Sequence, residues 1–359
     1  MLRDMARQRV LHLDLGPDFR GGQRQVLYLA GSQAGRGPWE PLLACPTGSP
    51  LLIEARSRNL QTEALPSRWD YDPRNWLSLL GLIRRVSAAI IHTHEPRAAG
   101  LGAFLSFLLP GKIRLVHTRR VSYPPSQTGF WKYRRGGAVV CVSREILEIM
   151  AQCGVERNRL HVRHSAIDPG RYRPCRDRIS PLPVICLMGA LTAQKGHAVL
   201  LRALAGMQDL PWEAVLVGKG PLRGELEVLA RDLGISERVR FPGHVDSRLV
   251  LPEADVLVVP SQDGEGSSAA IKEGWVCGVP VVASDLPSNL ELVQDGLTGL
   301  VFPRAEASAL GLVLRRILTD DALRSSVVER AIQESALYTV EAMASDYARV
   351  YAKLTGFGA

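Results

Sequence analysis

This chain has no long apolar run and is poor in aromatic residues. Its longest apolar stretch, 98–109, has twelve residues, short of the ~20 that a membrane-spanning helix needs. The apolar stretch nearest the N-terminus, 10–15, contains His12 and Asp14 and is too short for the core of a signal peptide. The expectation is a cytoplasmic protein with no membrane anchor, peripheral contact with a membrane remaining open. Its six cysteines form no Cys-x-x-Cys pair and no Cys/His cluster of zinc-finger spacing. That argues against a disulfide scaffold or a structural zinc site, and for reduced, mostly buried thiols.

What is present is charge, unevenly placed. Residues 1–170 hold 24 Lys and Arg against 13 Asp and Glu, a net +11, whereas residues 171–359 hold 20 against 23, a net −3. A basic first half suits an anionic partner such as a phospholipid surface, a phosphorylated glycan or nucleic acid. An Arg-rich solvated surface accounts for the same numbers equally well.

At 359 residues and 46% hydrophobic, the chain is too long for one ordinary core and suits two domains. Short Val/Ile/Leu runs alternate with longer amphipathic segments throughout, the pattern of βα units and parallel sheets. In the first half strands are expected at 10–15, 42–45, 89–92, 114–118, 138–142 and 162–163, with helices at 23–32, 76–86, 97–108 and 144–153. The Arg- and Pro-rich stretch 168–183 has no periodicity and reads as an interdomain linker. The second half places strands at 184–188, 214–217, 239–241, 256–259 and 279–282. Its helices fall at 196–207, 222–233, 307–318, 320–337 and 340–354. The fold class expected is α/β, as two doubly wound Rossmann-like domains, 1–170 and 171–339, facing across a cleft.

The candidate chemistry lies at strand ends. Glu265 and Glu273 bracket Gly266-Ser267-Ser268, the first just after an apolar strand and the second on the helix that follows, with Ser267 or Ser268 as its N-cap. Carboxylates accept paired hydrogen bonds from vicinal hydroxyls, so two in this frame suit a polyhydroxylated ligand. Gly189 and Lys195-Gly196 occupy the strand-to-helix junction at the start of the second half. There a lysine beside a helix N-terminus offers phosphate a charge and oriented N–H donors. The order Lys-Gly-His is not that of a Walker P-loop. Gly218-Lys219-Gly220-Pro221 is a tight strand-to-helix turn lining the cleft, since the next glycine, Gly224, comes one position late for a dinucleotide fingerprint. In the first half His92-Thr93-His94 and His117-Thr118-Arg119-Arg120 end neighbouring strands, bringing imidazoles to one sheet edge.

Taken together these residues resemble the retaining glycosyltransferases of family 4, which have the GT-B fold. The resemblance runs over nearly the whole chain. It includes Gly21-Gly22, the two histidine-bearing strand ends, Val142-Ser143, Gly189-x5-Lys195-Gly196, Gly218-x-Gly220-Pro221 and Pro260-Ser261. It continues through the Glu265-x7-Glu273 pair, Gly278-x-Pro280-Val281-Val282, Glu291 and Gly296-x-Thr298-Gly299. The resemblance implies that Glu273 binds the ribose hydroxyls of a nucleoside diphosphate sugar and that Glu265, Gly266, Ser267 and Ser268 hold the donor sugar. It further implies that Lys195 neutralises the diphosphate, that Gly22 lets the first loop approach it, and that His117 sits beside the anomeric carbon. Gly189, Gly218 and Gly220 are expected among the donor-binding residues. It makes 1–170 the acceptor-binding domain, crossed by the C-terminal helix and segment 340–359, and 171–339 the nucleotide-sugar domain. No metal or other cofactor is expected.

Two departures stand out. Ala190 occupies a position where the family usually has Arg, and Ser165-Ala166-Ile167-Asp168 replaces Asn-Gly-x-Asp. Arg119, Arg120 or Arg24 could replace the missing cation.

Expected partners are a nucleotide sugar, a glycan or lipid-linked acceptor contacted by His94, Arg119 and Arg120, and an anionic inner-membrane surface, but no nucleic acid. The function expected is sugar transfer in envelope polysaccharide or lipopolysaccharide synthesis. One rival is glycoside hydrolysis by the paired carboxylates; Lys195, the glycine turns and only 6% aromatic residues weigh against it. The other is a transferase-like module that binds a nucleotide sugar or glycan without turnover, supported by Ala190.

Overall fold

The computed structural model of the chain describes residues 7–35, 37–111, 113–174, 182–264 and 266–357. It divides into two compact units, Met1–Ala166 with Val340–Ala359, and Ile167–Thr339. The first crossing therefore falls four residues before the boundary read from the sequence. The physical reason is that Ile167 pairs with Thr339 in an isolated bridge, and its N–H donates to the Tyr338 carbonyl at 2.7 Å. The chain is thus already part of the second unit where a linker was expected. Residues 175–181 of that expected linker lie outside the described residues.

The first unit is built on seven parallel strands: β1 Gln8–Leu13, β2 Trp39–Pro46, β3 Thr62–Leu65, β4 Ile90–Thr93, β5 Arg114–Arg119, β6 Ala138–Cys141 and β7 Leu160–Val162. Their order across the sheet is β3-β2-β1-β4-β5-β6-β7. The interior strands β4 and β6 are buried at every position, as expected of parallel strands covered by helices on both faces. Helices start where a side chain can take up free N–H groups. Asp72 caps Pro73–Val86, Glu95 caps Pro96–Leu108 and Ser143 caps Arg144–Gln152. Proline at the first helical position marks two of these starts, since its missing N–H is lost there at no cost.

Helix Val340–Thr355 belongs to this first unit. It buries Met343, Tyr347, Val350 and Tyr351 in a cluster with Val10, Tyr28, Trp39 and Ile90. The Ser165-Ala166 departure is also accounted for here. Gln25 donates to the Ala166 carbonyl at 2.8 Å and accepts from its N–H at 2.6 Å, which satisfies both backbone groups without an Asn-Gly turn.

The second unit has six parallel strands: β8 Val184–Met188, β9 Glu213–Val217, β10 Val239–Gly243, β11 Val256–Val259, β12 Val281–Ser284 and β13 Leu300–Phe302. Their order is β10-β9-β8-β11-β12-β13. Trp212 and Trp275 are its largest fully buried side chains.

Strands β3 and β13, the short edge strands, and helix Pro50–Ser57 were not read from the sequence. The last strand of the first unit is 160–162 rather than 162–163, and β12 starts two residues later than expected. The five described cysteines are free and buried; Cys175 lies outside the described residues. No described helix is long and apolar enough to cross a membrane.

Candidate active site

In a doubly wound sheet, ligands bind where crossovers diverge from adjacent strands. In the second unit that place lies between β8 and β11, since the chain leaves β8 for β9 on one side while β11 lies on the other. A pocket of about 300 Å³ sits there, lined by Leu187 and Met188 of β8, Val258 and Val259 of β11, and Lys195, Pro260, Ser261, Ser267 and Ser268 from the following loops.

Two glycines let these loops close on each other. A Cβ at Gly196, whose φ is +71°, would lie 1.9 Å from the Pro260 carbonyl oxygen, and beside it the Gln262 N–H donates to the Gln194 carbonyl at 2.7 Å. Gly189 lies under the stem of Lys195, where a Cβ would be 3.3 Å from both Cγ and Cδ. The lysine is thereby held half-buried at the pocket edge. Ser261 is anchored from behind, its carbonyl accepting from Ser284 Oγ at 2.6 Å.

Helix Ala269–Cys277 opens at the same pocket, with Ala269 and Ala270 on the lining. Ser268 is its N-cap, but its side chain makes no capping hydrogen bond, so the first-turn N–H groups and the positive end of the dipole are not spent on it. Glu273 is 8% exposed and sits one turn into the helix, away from the pocket lining. Gly266 and Ser267 form the bend before the helix. Glu265, the residue assigned to the donor sugar, lies outside the described residues.

Gly218 and Gly220 do not meet the expectation that they face a ligand. A Cβ on Gly218 would fall 1.8 Å from the Gly189 carbonyl oxygen, and one on Gly220 would fall 2.3 Å from that of Leu191. These glycines let two loops of the unit touch, so they shape the pocket's support. Ala190 is exposed on the 189–191 loop and offers no charge.

In the first unit the divergence lies between β1 and β4, and here the structure corrects the role given to His117. This residue is fully buried, with Nδ1 2.6 Å from Thr93 Oγ1 and Nε2 3.0 Å from the Lys132 carbonyl. Burial pushes its pKa down to about 3. With both nitrogens engaged and no exposed surface it is a neutral structural residue rather than one beside a reacting carbon.

His94 is buried as well, within a cluster. His12 Nδ1 is 2.9 Å from His94 Nε2, His12 Nε2 2.7 Å from Gln33 Oε1, and His92 lies between Tyr351 OH at 2.6 Å and Thr118 Oγ1 at 2.7 Å. His12, His92 and His94 are the one group of three close potential metal ligands among the described residues, their nitrogens spread over up to 4.8 Å. The ring nitrogens of His12 and His92 are engaged in hydrogen bonds, whereas His94 Nδ1 is buried without one. The single Asp-x-Asp spacing in the sequence is Asp70-Tyr71-Asp72. Asp72 caps a helix and pairs with Arg74 at 2.7 Å.

Arg119 is also not at the edge. It is buried, with Nη1 3.3 Å from Tyr133 OH and Nη2 donating to the Tyr123 carbonyl. Arg120 does lie there. Its side chain runs against Gly22, where a Cβ would be 3.4 Å from Arg120 Cδ, and its buried Nε has no hydrogen-bond partner. Burial lowers its pKa, opposed by Tyr347 and by Asp14.

Two carboxylates complete this edge, and neither was singled out from the sequence. Asp14 follows β1 and accepts from the Gly16 N–H at 2.8 Å; Glu95 follows β4 and accepts from the Arg97 N–H at 2.8 Å. Burial raises both pKa values. Glu95 followed by Pro96 is a helix-start signal that could have revealed it.

Two family descriptions match the chain in succession: "Glycosyltransferase Family 4" over residues 19–171 and "Glycosyl transferases group 1" over residues 182–320. Among curated proteins, the lipopolysaccharide core biosynthesis glycosyltransferase LpsE of Rhizobium meliloti is 28% identical over 338 residues, 90% of this chain and 92% of that protein. A phosphatidyl-myo-inositol mannosyltransferase of Mycobacterium leprae is 32% identical over 163 residues, 44% of this chain and 43% of that protein. Among solved structures, Anabaena HepE in complex with UDP superposes with a TM-score of 0.83 at 20% identity, covering 97% of this chain and all of that one. A glycosyltransferase from Rickettsia africae gives a TM-score of 0.85 at 18% identity over 98% of this chain and all of that one.

Proposed function

Because the chain belongs to glycosyltransferase family 4 and is a sugar-transferring enzyme of GT-B fold, we propose that its second unit holds a nucleoside diphosphate sugar and that its first unit receives the acceptor. The observation that carries this reading is the pocket at the β8–β11 divergence, which has Lys195 at its edge and a helix N-terminus at its back. In sugar transfer, negative charge builds on the departing diphosphate, so preorganised positive charge there lowers the barrier most. Glu273 would accept from the ribose hydroxyls, and Glu265 would hold the donor sugar.

HepE has been captured with UDP and with UDP-glucose, and LpsE is named for lipopolysaccharide core synthesis. These relatives support a nucleotide-sugar donor and an envelope glycan or lipid-linked acceptor. We propose retention of anomeric configuration, testable from the product's anomeric coupling constant. No metal is proposed in the reaction. A screen of UDP-, GDP- and ADP-sugars for thermal stabilisation tests the donor reading, since a ligand bound only by the folded state raises Tm. One class should stabilise the protein, and turnover with it should be unchanged by EDTA; stabilisation by none contradicts the reading.

An anionic membrane surface, on the cytoplasmic face of the inner membrane, is the further partner proposed. Supporting it, Trp69, Tyr71, Phe107 and Trp131 are exposed on the basic first unit. Arg97 and Arg68 lie 4.7 and 5.2 Å from the Trp69 ring, and Arg135 lies 5.0 Å from that of Phe107. Aromatic residues interleaved with arginine suit the headgroup region. Binding to vesicles containing phosphatidylglycerol is expected to exceed binding to pure phosphatidylcholine and to weaken with salt. Equal partitioning onto both would exclude it.

A further inference from the structure

Helix Ala269–Cys277 reads AAIKEGWVC, apolar except for Lys272 and Glu273, and Lys272 is fully buried. Lysine almost never occupies such a position unless it is paired, because removing an ammonium from water costs several kcal/mol. Helical side chains lean toward the helix N-terminus, and Lys272 follows that direction. Its stem passes back along the first turn, and Nζ donates to Ser267 Oγ at 2.7 Å, with the Tyr338 ring 5.5 Å away.

Ser267 lines the pocket that Lys195 also lines. The pocket therefore has one cation at its edge and a second one hydrogen bond behind its wall, added to the partial positive charge of the helix N-terminus. An uncharged nucleoside has no use for this arrangement, whereas a diphosphate does. Ala190 leaves the 189–191 loop without a cation.

We propose that Lys272 is a second cation of the donor-phosphate pocket, a positioning residue that acts on the diphosphate through Ser267. The inference rests on the nucleotide-sugar reading. Lys272→Met keeps the buried stem and removes the charge; Ser267→Ala keeps the charge and removes the link. The probes are UDP, GDP and ADP with their parent nucleosides, titrated calorimetrically into wild type and both variants.

Lys272→Met should weaken diphosphate binding by about tenfold or more and Ser267→Ala by about threefold, each leaving nucleoside affinity within about twofold. Lys272→Arg should recover part of the loss. Unaltered diphosphate affinity in Lys272→Met overturns the inference, as does equal loss of nucleoside and diphosphate, which would mean that the lysine only packs the helix. Should Lys272→Met fail to fold, Ser267→Ala decides, and wild-type diphosphate affinity there is contrary. Failure of the wild type to bind any of the three diphosphates overturns the donor reading and this inference with it.

Discussion

Lys195→Met is expected to lower sugar transfer by about 100- to 1,000-fold, the usual cost of removing one preorganised group that meets charge developing in a transition state. The substitution is chosen to isolate charge. Methionine can keep the apolar stem against Gly189, where the lysine's Cγ and Cδ now lie, so the loop between β8 and helix His197–Ala205 should hold its shape. Nucleoside binding should change little, because a nucleoside has no phosphate for Nζ to meet. A steady-state comparison of kcat, KM and nucleoside affinity checks this. A variant that kept kcat within a few-fold would remove Lys195 from leaving-group stabilisation.

The second large effect is loss of stability in mild acid. Burial pushes His12 and His197 down to about 4 and His117 to about 3, and holds His92 and His94 well below the ordinary imidazole range. In the unfolded chain these imidazoles titrate near 6.5. The unfolded state therefore takes up protons first as pH falls below about 6.5, and stability declines from there toward the folded values near 4 and 3. A drop from 6.5 to about 4 is worth roughly 3 kcal/mol. Two such groups rival the lower end of the ~5–15 kcal/mol by which ordinary domains are stable.

Asp14 and Glu95 act in the opposite sense. Their raised pKa values mean that the folded state takes up protons more readily there, which offsets part of the loss just above the ordinary carboxylate range. Urea unfolding should thus show a flat midpoint from pH 7 to 8.5 and a steep fall below pH 6.5. A midpoint unchanged down to pH 5 would mean that the histidines are not buried neutral.

Much of the architecture is legible in the sequence because parallel strands covered on both faces read as bare apolar runs. Val184–Met188 and Val256–Val259 stand in the structure as they were read. The edge strand β3 carries no such signal: it is Thr-Glu-Ala-Leu, half polar and only partly buried at three of its four positions. At the site, the glycine turns and Lys195 were legible as motifs, but the direction a side chain takes was not. His117 and Arg120 sit three residues apart at one strand end, yet one turns under the sheet and the other lies on Gly22. Lys272 was invisible as a functional residue, because a lysine beside a glutamate in a helix reads as solvated surface until its burial is seen.

Sugar transfer as proposed requires that the chain consume a nucleotide sugar at the pocket edged by Lys195. The most direct measurement is to incubate the purified protein with labelled UDP-, GDP- and ADP-sugars and a lipid-linked or lipopolysaccharide acceptor fraction, following label and free nucleotide together. The proposed activity requires that one donor class pass its label to the acceptor with equal release of nucleoside diphosphate, and that Lys195→Met nearly abolish both. A donor that binds and stabilises the protein yet is never consumed with any acceptor would contradict it.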